Sequence, residues 1–200
     1  MYKLWEALDK AREYKWVELS HELNNDSPYW SGIPEGNVEL GTTVFEWGNP
    51  MLECTIQTFK FPGQLGTHID FPGHFIKGAS LSDEYGVQNA VFPLCVVDIT
   101  DKVKEDIHYA ATAEDIKAYE AKYGPIPDGA FVTLDTDASA EAEKAGDLAC
   151  ERYVLASGKL QIEALCNLDQ VAPAGAVLIA AWPRIQNACG MPVRVYAITE

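Results

Sequence analysis

The chemistry in this chain is concentrated in residues 61–75, FPGQLGTHIDFPGHF, which hold two of the four histidines with an aspartate between them. In extended backbone, residues two apart share a face. Gln64, His68, Asp70 and His74 would therefore line one side, with Gly66 and Pro72 spaced among them. His68 and Asp70 are close enough to share a metal ion. The four residues from Gln64 to His68 span about 13 Å at roughly 3.3 Å each, too far for both to grip one ion. Gly66 offers a remedy, because glycine permits a bulge or bend. Pro72 ends regular pairing and turns the chain. His74 can then sit beside a metal without binding it. A neutral imidazole has the intrinsic pKa to carry protons near neutrality. An isolated His-x-Asp arises easily by chance. Thr67, His68, Asp70, Pro72 and His74 at fixed spacing make a more specific pattern.

These residues need a scaffold. The N-terminal MYKLWEALDKAREYKW reads as an amphipathic helix, with Leu4, Leu8 and Ala11 near helical spacing. WVELSHEL (16–23) alternates as a strand does. GNVELGTTVFEWG (36–48) and MLECTIQTFKF (51–61) repeat that alternation with turn signals between them. AVFPLCVVDIT (90–100) and GAFVTLDTD (129–137) read as buried strands, the second ending in Asp135 and Asp137. TAEDIKAYEAKYG (112–124) is a helix, with Thr112 as N-cap, Asp115 three residues on, and Gly124 at its end. Residues 138–158 look helical, with a break near Gly146. LQIEAL, AVLIAAW and PVRVYAI supply three late strands. Strands come first, then strands alternating with helices. That order predicts one α/β domain over residues 1–200 with a mixed sheet.

Composition narrows the function. A formal charge of −15 argues against nucleic acid or an anionic membrane surface as partner. The 48% hydrophobic content is that of a globular protein. The longest apolar run, AGAVLIAAW, is too short to span a bilayer. No apolar signal-peptide core is visible near the N-terminus. Five widely spaced cysteines without a CxxC pair fit a reducing, cytoplasmic setting. The G-x-S-x-G motif of serine hydrolases is absent.

The string Gln64, Gly66, Thr67, His68, Asp70, Pro72, His74 resembles the H-x-G-T-H-x-D-x-P-x-H signature of the cyclase-like metal-dependent hydrolases, which include kynurenine formamidase and isatin hydrolase. Only the first position departs, with Gln64 where the signature has histidine. The likeness extends further. WVELSHEL resembles the family's opening strand, SPYWSGIP a loop whose aromatic residue, here Trp30, covers the substrate pocket, and QIEALCNLDQV its late E-x-x-x-N-L element.

The resemblance implies a swivelling β/β/α fold and a homodimer or homotetramer. It implies a divalent metal on Gln64, His68 and Asp70, with His74 as acid/base. A second ion would use Glu163 and a histidine twelve residues earlier. That position is Glu151, which puts the second ion in question. With Gln64 replacing an imidazole, the donors shift toward oxygen, which favours manganese more than an all-histidine site would; zinc also suits.

The expected activity is hydrolysis of an amide in a small molecule by metal-activated water. The leading substrate is an aryl formamide such as N-formylkynurenine. The alternatives are a cyclic amide or lactone of the isatin type, and a non-catalytic metal- or ligand-binding member of the fold. His21, Asp135, Asp137 and Glu151 have no assigned role. His108 and Arg194 read as surface and structural residues, and Cys54, Cys95 and Cys166 as core.

Overall fold

The computed structural model of the chain describes residues 2–48, 50, 53–135 and 148–200. Its backbone is a five-stranded mixed sheet in the order β1-β10-β8-β5-β6. These strands are β1 (Lys15–Glu18), β5 (Val91–Asp98), β6 (Phe131–Asp135), β8 (Ala176–Ala181) and β10 (Arg194–Thr199). Only β5 and β6 are parallel; β1–β10, β10–β8 and β8–β5 are antiparallel. The crossover between β5 and β6 carries helices α2 (Thr100–Glu105) and α3 (Ala113–Tyr123).

Strand β5 shows why its sequence is a nearly unbroken apolar run. Leu94 and Val96 face the main core with Leu178, Val195 and Ala197. Cys95 and Val97 face the opposite side, packing with Ile99, Val103 and Tyr119. A strand covered on both faces has no solvated face on which to place polar residues. Helix α3 starts as expected, with Thr112 N donating to Asp115 Oδ2 at 2.7 Å and Gly124 ending it at φ 94°.

A second sheet carries the chemistry. It is three-stranded and antiparallel in the order β7-β4-β9, from β4 (His68–Asp70), β7 (Gln161–Glu163) and β9 (Gly190–Pro192). Ile69 lies opposite Ile162 on one side and Met191 on the other, and all three join the main core. The residues that alternate with them face the other way.

One expectation is met in an unexpected setting, and one needs correction. The alternating segments 36–48 and 51–61 do pair, as β2 (Glu39–Phe45) and β3 (Ile56–Lys60), but all of β3 and most of β2 is exposed. Alternation here does not separate a core face from a wet face. Of the three cysteines expected in the core, Cys95 is buried, whereas Cys54 and Cys166 are half-buried.

The N-terminal helix α1 (Lys3–Glu13) forms and buries none of its residues. Helix α4 (Ala149–Ala156) falls within the helical stretch read over 138–158, of which residues 138–147, with Gly146, lie outside the described residues, as does Asp137. Among the described residues, no helix is long and apolar enough to cross a membrane.

Candidate metal centre

The site forms where three remote segments meet on the face of the small sheet that points away from the core. His68 stands opposite Glu163 on β7 and Pro192 on β9; Asp70 stands opposite Gln161 and Gly190. Directly opposed residues in an antiparallel pair project to the same side. His68, Asp70, Glu163 and Gln161 therefore share one face. One ligand atom each from His68, Asp70 and Glu163 lies within 4.8 Å of the others. His68 Nε2 is 3.4 Å from Asp70 Oδ2 and 3.6 Å from Glu163 Oε2.

The local chain explains how these atoms are aimed. Gly66 adopts φ +56°, the bend that the sequence called for. That turn brings its carbonyl to 2.8 Å from His68 Nδ1. A carbonyl only accepts, so Nδ1 carries a hydrogen, and Nε2 faces the carboxylates, where a proton or a cation must stand between them. Thr67 faces the other way and ties three segments together. Its Oγ1 donates to Ala164 O at 2.6 Å and accepts from His21 N at 3.0 Å. Ala164 sits at φ +55°, an uncommon conformation for alanine, immediately after Glu163. Asn167, also left-handed at φ 58°, donates Nδ2 to Glu18 O at 2.9 Å. The E-x-x-x-N element is thus fastened at both ends.

Each carboxylate is held by a carboxamide. Gln64 Nε2 donates to Asp70 Oδ1 at 2.9 Å, and Gln161 Nε2 donates to Glu163 Oε1 at 2.8 Å. The remaining oxygens, Oδ2 and Oε2, turn to His68. Gly190 makes room for the first pair. A Cβ built there would overlap both Asp70 Oδ1 and Gln64 Nε2.

Burial opposes a charge on His68. The hydrogen bond and charge of Asp70, aided by Gly66 and Glu163, outweigh it and raise the histidine's pKa. A buried imidazole facing two carboxylates fits a divalent cation, which would replace that proton as the positive partner. His68, Asp70 and Glu163 are the residues that would hold it. The family resemblance implied Glu163 for a second ion, and in the structure Glu163 stands beside His68 and Asp70.

His74 lies just beyond, at the end of a single 3₁₀ turn, Pro72–His74. Its N–H donates to Phe71 O at 2.8 Å, and Phe71 is fully buried against Tyr85 and Trp182. The imidazole shares a hydrogen bond with the Cys189 thiol. That bond is the largest influence raising the His74 pKa, ahead of the opposing burial and the supporting charge of Asp70. The same bond lowers the Cys189 pKa. Cys189 is brought there by Phe71 N, which donates to Cys189 O at 3.0 Å.

Among the described residues, the ligand group of His68, Asp70 and Glu163 includes none of the other histidine or carboxylate candidates. Trp30 is exposed, but its loop is anchored where Tyr29 bridges Leu65. His21 is exposed and meets Thr67 through its backbone. It lines, with Glu18, Thr67 and Arg194, a cleft of about 560 Å³. Arg194 pairs with Glu18 at 2.6 Å. His108 is exposed, and Asp135 ends β6. Sequence reasoning missed Gln161, Cys189 and Gly190, because only long-range register brings them here.

A family model described as "Putative cyclase" matches residues 17–179. The chain is 27% identical to an isatin hydrolase of Roseibium aggregatum over 188 residues, covering 66% of this chain and 70% of that protein. A kynurenine formamidase of Bacillus thuringiensis matches at 28% over 87 residues, 44% of this chain and 40% of the formamidase. Among solved structures, isatin hydrolase A from Labrenzia aggregata bound to benzyl benzoate superposes with a TM-score of 0.83 at 23% identity, over 99% of both chains. A structure titled a potential metal-dependent hydrolase with cyclase activity gives 0.71 at 19% identity, over 93% of this chain and 98% of the other. These two likenesses establish the fold.

Proposed function

From the premise that the chain belongs to the cyclase family, we propose that it is a metal-dependent hydrolase of an N-aryl amide in a small molecule. The observation that carries this reading is the convergence of His68 Nε2, Asp70 Oδ2 and Glu163 Oε2 on one face, the first two buried and Glu163 half-buried, with His74 at its margin. A divalent cation on those atoms, zinc or manganese, would polarise the scissile carbonyl and acidify water. The chain's own residues do the rest. Gln64 and Gln161 keep one oxygen of each carboxylate turned inward. The Gly66 carbonyl holds the His68 tautomer. His74, raised in pKa by Cys189, stays protonated further toward neutrality and suits it to protonate the leaving nitrogen. The mechanism needs no covalent nucleophile.

An open aryl formamide such as N-formylkynurenine and a closed cyclic amide of the isatin type share the aryl N–C(=O) bond. The longer match to isatin hydrolase favours the cyclic form. Turnover of a panel of aryl formamides, cyclic amides and lactones under zinc and manganese tests the reading. Metal binding with no turnover on any of them would favour a binding protein of this fold.

Two further parts belong to the same proposal. The exposed apolar side chains of α1 and of the β2–β3 hairpin, among them Leu4, Trp5, Val44 and Phe59, suit burial between copies of this chain in a homo-oligomer. The five free thiols suit the cytoplasm.

A further inference from the structure

We infer that Gln161 is a positioning residue of this centre, whose side-chain oxygen accepts a hydrogen bond from an O–H or N–H donor that arrives with the site's occupant. The inference rests on the metal-dependent reading above. Gln161 lies opposite Asp70 in the β4–β7 register, so its side chain shares the face of His68, Asp70 and Glu163. Its Nε2 donates to Glu163 Oε1 at 2.8 Å. The orientation follows from chemistry. A carboxylate only accepts, so the amide must present its NH₂ there and turn its oxygen elsewhere. That oxygen is buried and meets no hydrogen-bond partner among the described residues.

A buried acceptor without a donor is costly, and native proteins rarely leave one bare. The bond to Glu163 alone does not explain it, since a residue with only a donor would serve that purpose. Gln64 offers the comparison, performing the same carboxylate-holding task on Asp70 without a bare buried oxygen. The unmatched oxygen at the metal face therefore points to a donor supplied on binding. Two sources carry that chemistry: water held by the cation, and the N–H of an amide substrate.

Gln161→Met keeps the side chain's length while removing both its donor and its acceptor. Calorimetric titration of the full-length wild type and variant with Mn²⁺ and Zn²⁺ reads the first part. Cation affinity should fall by about 10- to 100-fold in the variant, the usual effect of losing a residue that orients a ligand. KM and kcat on a matched pair, a cyclic amide and the lactone that replaces its N–H by oxygen, identify the donor. If the substrate N–H is the donor, KM rises for the amide and not for the lactone. If water on the cation is the donor, the two substrates change together. Unchanged cation affinity and unchanged KM and kcat for both substrates overturn the inference. Should the Met variant fail to fold, Gln161→Asn, one methylene short of Glu163, is read by the same criteria. A wild type that takes up neither ion overturns the metal reading itself, and this is visible before any variant is made.

Discussion

Gly190→Ala offers a severe test of how the site is built, because one added methyl group reaches two of its members. The Cβ would overlap Asp70 Oδ1 and Gln64 Nε2, which are the two ends of a 2.9 Å hydrogen bond, and would lie 3.1 Å from Ile69 O. The backbone at Ile69 cannot easily retreat, since β4 is paired on both sides and Ile69 is fully buried. The side chains must move instead. Overpacking of this kind costs about 1 to 3 kcal/mol. In a chain of this size each kcal/mol lowers Tm by about 2 to 4 °C, so the metal-free variant should melt roughly 2 to 12 °C below wild type. Displacing Asp70 should also weaken cation binding by about 10- to 100-fold. The decisive assay is a cycle with Gln64→Ala, which removes one of the two colliding atoms. Gly190→Ala should then cost less than in wild type, with a coupling of about 0.5 to 3 kcal/mol. Wild-type melting and cation affinity in Gly190→Ala, or costs that simply add in the double variant, would refute the packing argument.

Other outcomes follow from the same geometry. His74→Ala should keep its bound metal and fold but lose about 10²- to 10⁴-fold in turnover; loss of metal instead would make His74 a ligand. Cys189→Ala removes the largest influence raising the His74 pKa. The His74 titration followed by NMR, and the alkaline limb of the rate profile, should both move to lower pH; an unmoved midpoint would refute the thiol's role. Because the folded pKa of His74 is raised, its contribution to stability is complete below the ordinary histidine value of about 6.5 and is lost as pH rises through the folded value. In Cys189→Ala that pH-dependent part should shrink, as read from melts between those values. Gln64→His should fold and shift metal preference toward zinc; unchanged selectivity would confine Gln64 to supporting Asp70.

The sequence carried the local part of this site and not the long-range part. Residues 64–74 were legible because a strand, a glycine bend and a proline turn are short-range devices, and Gly66 and Pro72 act as read. Thr67 stood in the motif without a visible reason, because its partners are at positions 21 and 164. Glu163 was legible as an acid but not as a neighbour of His68, a fact of strand register. Gln161 and Gly190 leave no local trace, since a glutamine beside isoleucine and a glycine beside methionine are ordinary residues. Strand β9 is only three residues long, below what alternation can reveal. In β2 and β3 the alternation was real, but among the described residues neither strand contributes a buried residue to a core.

The central claim is that His68, Asp70 and Glu163 hold one divalent cation together. Metal analysis of the purified wild type, His68→Ala and Glu163→Ala after equilibration with Mn²⁺ or Zn²⁺ tests it most directly. The account predicts stoichiometric metal in wild type, none in His68→Ala, and strongly weakened binding in Glu163→Ala. Stoichiometric metal retained by His68→Ala, or a wild type that binds neither ion, would contradict it.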